Sequence, residues 1–112
     1  MIGGGSPRPG LLEQIRRLGA DSVTKYNWGG PHPEDYIRWG VEAMERREAW
    51  DAALSIPYFP NASIGWDDTP RFPKKAKADV VHNNKSPESF AAFLQQAKRY
   101  CSRHPEEPNL IT

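Results

Sequence analysis

Apolar residues recur at helical spacing in three stretches of the chain, which predicts three helices. The first stretch covers residues 11–18, and Gly19 is suited to end it because glycine readily adopts the left-handed conformation of a helix C-cap. The second begins at Pro33, whose fixed φ suits a first helical turn, and continues to about Leu54. The third begins after Ser86, whose hydroxyl can cap a helix.

Each predicted helix has an apolar face that is expected to enter the core. In the second helix the opposite, solvated side contains Glu42, Glu45, Arg46, Arg47 and Glu48. Trp39 falls at helical spacing with Tyr36 and is assigned to the core. The apolar faces of the second and third helices consist of Tyr36, Ile37, Gly40, Val41 and Met44 and of Phe90, Phe93, Leu94, Ala97 and Cys101, respectively.

Three shorter stretches have the composition of β-strands. Residues 21–26 carry the β-branched pair Val23 and Thr24, residues 62–66 end in a glycine and an aromatic residue, and residues 109–112 begin a third strand. This alternation of helices and strands predicts an α/β fold with βαβ units and parallel strands. Because three strands can leave a sheet edge open, we expect the 112-residue chain to be part of a larger domain.

Composition and charge exclude several function classes. With 15 basic and 14 acidic residues the formal net charge is +1, so no basic surface for nucleic acid is predicted. No apolar run is long enough to span a membrane. Cys101 is the only cysteine, which excludes an internal disulfide, and no group of histidines, cysteines or carboxylates has metal-ligand spacing. We therefore predict no metal and no cofactor.

Polar and aromatic side chains follow two of the predicted strands, where the working residues of parallel α/β folds lie. They are Tyr26, Asn27, Trp28 and His32 after the first strand and Trp66, Asp67, Asp68 and Arg71 after the second. Indole faces stack on the C–H faces of sugar rings, and carboxylates, amides and guanidinium groups bind hydroxyl groups. These two strand ends have the side chains that a carbohydrate groove would need, with Asp67 as a ligand or the catalytic carboxylate and the other seven residues as substrate contacts.

A structural interpretation of the same residues stays open. Asp67 or Asp68 could cap the turn that follows, as aspartate commonly does. Arg71 could form an ion pair with either carboxylate. A triad of Ser63, His82 and Asp67 is not favoured, because the G-x-S-x-G elbow that would support it is missing from the sequence.

The stretch PNASIGWDDTPRF, residues 60–72, resembles a motif of the glycoside hydrolase family 99-like (WbsX-like) proteins, in which a strand ends in a Gly-Trp-Asp-x-x-Pro-Arg sequence. DSVTKYNW resembles the preceding strand of that family, SPESFAAFLQQAKRY the following helix, and NLIT the start of the next strand. The resemblance covers about residues 18–112 and implies a (β/α)8 TIM barrel, which needs about 250 residues. Residues 11–112 would then be about three consecutive βα units of a barrel truncated at both ends, preceded by a disordered or loop segment at residues 1–10.

The resemblance also implies a glycoside hydrolase that acts on glycans or polysaccharides, with Trp66, Asp67 and Arg71 lining the sugar groove. In the family the strand that begins at NLIT runs into an Asn-Glu-Trp segment, which this chain does not contain. Because glycoside hydrolysis normally needs two carboxyl groups, this chain alone is expected to lack the complete catalytic apparatus. The alternatives are a non-catalytic carbohydrate-binding or polysaccharide-biosynthesis-associated remnant and a stand-alone βαβ protein of unrelated function. A secreted or periplasmic location is expected if a signal sequence lies upstream.

Overall fold

The computed structural model describes residues 6–29, 35–67, 69–71 and 83–112. Within these ranges the elements are α1 (Pro9–Leu18), β1 (Val23–Thr24), α2 (Tyr36–Ala53), β2 (Tyr58–Phe59) and α3 (Pro87–Ser102). The two strands form one parallel sheet, in which Val23 pairs with Tyr58 and Thr24 with Phe59. Parallel strands cannot be joined by a tight turn, and the crossover between them contains α2.

The prediction of three βα units from a TIM barrel is wrong. The described residues are mostly helical and form no barrel, and their sheet has two strands of two residues each. Pro57 and Pro60 flank β2, and because proline has no N–H to donate to a ladder, the strand cannot be extended regularly in either direction. Residues 62–66, predicted to be a strand, form none.

The C-terminal stretch at residues 109–112 also forms no strand, although it lies beside the exit from β2. Thr112 N donates to Pro60 O at 3.0 Å, and Ala62 N donates to Thr112 O at 2.9 Å. Just before this contact Leu110 N donates to Pro108 O at 2.9 Å, a tight turn that interrupts extended backbone. Residues 109–112 are therefore joined to the segment after β2 by isolated hydrogen bonds and not by the regular hydrogen-bond ladder of a β-sheet.

The three predicted helices are present, although α2 begins at Tyr36 and not at the predicted Pro33. Their ends follow local rules. Gly19 ends α1 with a φ of 64°, in the left-handed region. Asp35 caps α2 by accepting a hydrogen bond from Arg38 N at 2.8 Å. At α3 the Ser86 hydroxyl accepts from Ser89 N, and the Ser89 hydroxyl accepts from Ser86 N, which together make a capping box.

Replacing Ser86 with alanine is expected to lower the free energy of unfolding by about 1 kcal/mol, because one amide at the start of α3 loses its acceptor. Urea denaturation followed by circular dichroism measures this change. Ser102→Ala, at the other end of the same helix, is the matched control and should change stability by less than about 0.5 kcal/mol. Equal effects of the two substitutions would contradict the role assigned to the cap.

The buried face of α2 differs from the predicted one. Ile37 and Val41, expected in the core, are 45% and 49% exposed, whereas Arg47, expected in solvent, is 5% exposed. The Arg47 guanidinium lies 4.9 Å from the centre of the Tyr100 ring, a cation–π contact that compensates part of the cost of burying the charge. The buried face of α2 is therefore rotated about the helix axis, by about one residue position, from the face that hydrophobicity predicted.

Two clusters of buried side chains form the core. In the first, Val23 and Tyr58 lie on one face of the sheet and contact one buried residue from each helix, namely Ile15, Trp50 and Tyr100. All three helices consequently pack on the same face of the sheet. The second cluster lies beyond the C-terminal end of β1 and consists of Trp28, Tyr36, Trp39, Ala43 and Phe93. Of the helices in the described ranges, none combines the length and the apolar character needed to cross a membrane.

Candidate functional site

The backbone segments that leave β1 and β2 are joined to each other by Trp28. Its backbone N–H donates to the Ser63 hydroxyl at 3.3 Å, and its indole Nε1 donates to Asn61 O at 3.1 Å. The side chain is 2% exposed and contacts the rings of the second core cluster. Trp28, predicted to be a groove residue, therefore lies in the core, where its indole has no open face for a ligand.

Two aromatic residues of α2 hold the same two segments through hydrogen bonds. The Tyr36 hydroxyl donates to Ser63 O at 2.6 Å, and Trp39 Nε1 donates to Gly29 O at 3.0 Å. Burial raises the pKa of Tyr36 to about 12, so its hydroxyl keeps the proton that it donates. Both strand exits are thus held on a rigid helix, which is the support that a preorganised site requires.

Tyr26, just after β1, and Trp66, on the segment that follows β2, form an aromatic pair. The ring centres are 6.4 Å apart and the planes meet at 86°, an edge-to-face arrangement. Tyr26 is 71% exposed, and Trp66 is half-buried. The Trp66 ring also packs against the second core cluster, and the pair brings together one predicted residue from each of the two segments.

Asp67 follows Trp66 and is exposed. Its Oδ1 accepts hydrogen bonds from the Thr69 hydroxyl at 2.6 Å and from Thr69 N at 2.9 Å. These hydrogen bonds, the hydroxyl one foremost, hold the pKa of the Asp67 carboxyl below its usual range, and the nearby charge of Lys85 acts in the same direction. Asp67 consequently caps the turn, as the structural interpretation anticipated, and presents an ionised carboxylate beside the aromatic pair.

The remaining predicted site residues are divided between the surface and the segments that the structure does not describe. Asn27 is half-buried, and Arg71 is exposed. His32 and Asp68 lie outside the described residues. Of the eight predicted positions, the structure therefore brings Tyr26, Trp66 and Asp67 to one surface.

Sequence reasoning missed the positioning residues Asn61, Ser63 and Tyr36. Asn61 and Ser63 act through a backbone carbonyl and a hydroxyl on the segment after β2. The sequence signal that points to them is Pro60, because a proline at that place ends the strand and leaves the next polar groups available to the neighbouring exit.

Lys25 is a buried cation close to these segments. It is 4% exposed, and its ammonium lies 5.9 Å from the centre of the Trp50 ring. Burial, with a smaller contribution from the charge of Arg46, lowers the pKa of Lys25 to about 8. An amine with this pKa is partly neutral near physiological pH, but its position between sheet and α2 shields it from solutes.

Two of the surface hollows on the described part of the molecule bear on the predicted site. A hollow of about 510 Å³ is lined by residues that precede the strands, among them Leu12, Ala20 and Ile56. It lies at the end of the sheet opposite to the aromatic pair, and none of the predicted site residues lines it. A smaller hollow of about 330 Å³ is lined by Ile64, Lys85, Ser86, Pro87 and Phe90. Its lining shares the segment after β2 with Trp66 but includes neither ring of the aromatic pair.

Within residues 6–29, 35–67, 69–71 and 83–112, no three His, Cys, Asp or Glu side chains are placed to hold a metal ion. Searches against protein-family models, curated proteins and solved structures found no significant match to this chain. The resemblance to the glycoside hydrolase family 99-like proteins therefore stays a prediction that rests on the residues 60–72.

Proposed function

We propose that the chain binds carbohydrate through the aromatic pair Tyr26 and Trp66, as part of a carbohydrate-active protein. The observation that carries this proposal is the edge-to-face packing of two aromatic rings at the strand exits, with Tyr26 71% exposed. Large exposed aromatic rings beside polar groups are typical of binding surfaces. One ring can stack on the apolar face of a pyranose while the perpendicular ring contacts its edge.

The hydrogen bonds that hold the two segments support binding, because they reduce the conformational entropy that the backbone would lose when a ligand is bound. Trp28, Ser63 and Tyr36 already fix the backbone on both sides of the rings. Ordering a loop on association costs affinity, and a segment held in its bound conformation avoids that cost. Asp67 adds carboxylate oxygens that can accept from sugar hydroxyls next to Trp66.

Binding is better supported than hydrolysis. Glycoside hydrolysis uses a pair of carboxyl groups on opposite sides of the bond. Of the eight predicted site residues, the described ones include a single carboxylate, Asp67, and its lowered pKa suits an ionised group instead of a general acid. We therefore place the non-catalytic, carbohydrate-binding interpretation first and keep hydrolysis by a longer protein of the resembled family as the second.

Trp66→Ala and Tyr26→Ala are each expected to weaken glycan binding by about 1–3 kcal/mol, which corresponds to an increase in Kd of about 5–150-fold. A glycan array identifies the ligand, and isothermal titration calorimetry with that oligosaccharide measures the change. Tyr26→Phe keeps the ring and should bind within about threefold of the wild type, a difference of about 0.6 kcal/mol.

Ile64→Ala is the matched control, since Ile64 is equally exposed at 71% and lies on the same segment but carries no ring. An equal loss of binding in Ile64→Ala would contradict stacking on the aromatic pair, as would unchanged binding in both ring-deletion variants. Asp67→Asn keeps the oxygen that accepts from Thr69 and removes only the charge. Hydrolysis of the bound glycan by the wild type and its loss in Asp67→Asn would favour the second interpretation.

A further inference from the structure

Asp51, Tyr100 and His104 form a hydrogen-bonded cluster between the end of α2 and the end of α3. The Tyr100 hydroxyl donates to Asp51 Oδ1 at 2.6 Å. His104 Nε2 lies 3.1 Å from Asp51 Oδ1 and 3.2 Å from Oδ2, and His104 Nδ1 lies 2.9 Å from Tyr100 O. The cluster is remote in sequence from the aromatic pair and has no part in the proposed sugar site.

Both ring nitrogens of His104 face groups that accept hydrogen bonds. A backbone carbonyl such as Tyr100 O has no proton to donate, so Nδ1 must carry a hydrogen. Nε2 lies within hydrogen-bond distance of both Asp51 oxygens and can donate to them when it carries a hydrogen. The protonated ring has a hydrogen on each nitrogen and can therefore make both hydrogen bonds at once. Loss of its proton would leave a lone pair of Nε2 against the carboxylate.

The charged and titratable groups around His104 come from both helices and from the turn that follows. On α2 these are Asp51, Glu48 and Arg47, and Arg47 lies over the Tyr100 ring. Arg103 also lies over that ring and is paired with Glu48 at 2.5 Å. The hydrogen bond to Tyr100 O is the largest cause that raises the pKa of His104, and the charges of Asp51 and Glu107 add to it against partial burial.

His104 also connects α3 to the last residues of the chain. His104 N donates to Cys101 O at 3.0 Å, and Glu107 N donates to His104 O at 3.1 Å. Cys101 Sγ contacts Leu110 O at 3.7 Å, and Thr112 then hydrogen bonds to the exit of β2. The turn that contains His104 therefore connects α3 to the segment at residues 108–112.

We propose that Asp51, Tyr100 and His104 form a proton-operated latch, in which protonated His104 holds the turn after α3 and the segment 108–112 against α2 and β2, and neutral His104 releases them. Because folding raises the pKa of His104, the stabilisation is fully present below the unfolded value of about 6.5 and is lost as the pH rises through the higher, folded value. The latch is thus closed in mildly acidic solution and opens towards alkaline pH.

An NMR titration of the 112-residue chain tests the latch. In a His32→Gln/His82→Gln background His104 is the single histidine, so its ring signals report one proton. We expect its titration midpoint above about 6.5, and we expect the amide signals of Leu110 and Thr112 to shift with the same midpoint. Asp51→Asn should move the midpoint down, because the carboxylate charge is removed while an acceptor for Tyr100 remains.

His104→Gln provides a second measurement that does not need the Asp51 variant to fold. The melting temperature of the background protein should fall between about pH 6 and about pH 8.5. In the His104→Gln variant this fall should be absent. A His104 midpoint at or below about 6.5, or an unchanged midpoint in Asp51→Asn, would overturn the proposal. So would Leu110 and Thr112 signals that do not follow the titration of His104.

Discussion

Replacing Trp28 with alanine is expected to lower the free energy of unfolding by about 3–5 kcal/mol, the usual cost of deleting a buried aromatic side chain. The Trp28 ring lies 4.8 Å from that of Phe93, 5.0 Å from that of Trp39 and 5.2 Å from that of Tyr36, so its removal opens a cavity among these three rings. It also removes the donor to Asn61 O. Denaturant unfolding followed by circular dichroism gives the measurement.

Two variants separate packing from ligand contact at this strand exit. Trp28→Phe keeps a ring and loses the hydrogen bond to Asn61 O, so a cost between those of the wild type and the alanine variant is expected. Tyr26→Ala, two positions earlier and exposed, should change stability by less than about 0.5 kcal/mol. If Trp28→Ala instead left stability unchanged and abolished glycan binding, Trp28 would belong to the groove after all.

Replacing Gly40 with alanine is expected to lower the free energy of unfolding by about 1–3 kcal/mol, although alanine favours helix. A Cβ at this position would lie 2.1 Å from Phe93 Cζ, far inside van der Waals contact. Phe93 is 8% exposed and packs in the second core cluster, so its ring cannot move without displacing neighbours. Because glycine has no Cβ, Gly40 allows the Phe93 ring of α3 to lie close to the backbone of α2.

A double-mutant cycle checks this explanation. With Phe93→Leu in place the ring tip is gone, and Gly40→Ala should then be neutral or stabilise by up to about 1 kcal/mol through helix propensity. Gly10→Ala in α1 is the matched control, since a Cβ there meets nothing within 4 Å, and it should also stabilise. Additive effects at Gly40 and Phe93 would contradict a direct clash.

Helices could be predicted from this sequence because their signals are local. Ser86 and Gly19 act on amides and carbonyls of their own helix ends, and the structure confirms the role predicted for each. Asp35 caps α2 in the same way, although the sequence placed the start of that helix at Pro33. Strands could not be predicted in the same way, because a strand exists only where a partner lies. Val23 meets Tyr58 across 35 positions of sequence, and no local pattern specifies the length of that pairing.

The candidate site was predictable in composition but not in orientation. Tyr26 and Asp67 are exposed as the sequence indicated, whereas Trp66 is half-buried and follows no strand of its own. Trp28 has the same neighbours and composition, yet it points inwards because its indole N–H reaches Asn61 O. A tryptophan with one hydrogen-bond donor is equally suited to a core and to a groove, and the partner decides which.

The short β2 between Pro57 and Pro60 also affects how the protein behaves at high concentration. Open sheet edges recruit strands from other molecules and start aggregation, and natural proteins protect them with very short strands and prolines. In the part of the chain that the structure describes, both strands are two residues long, and the two prolines flank one of them. The same interruption that prevents a regular barrel ladder therefore keeps the folded chain from acting as a template for intermolecular β-structure.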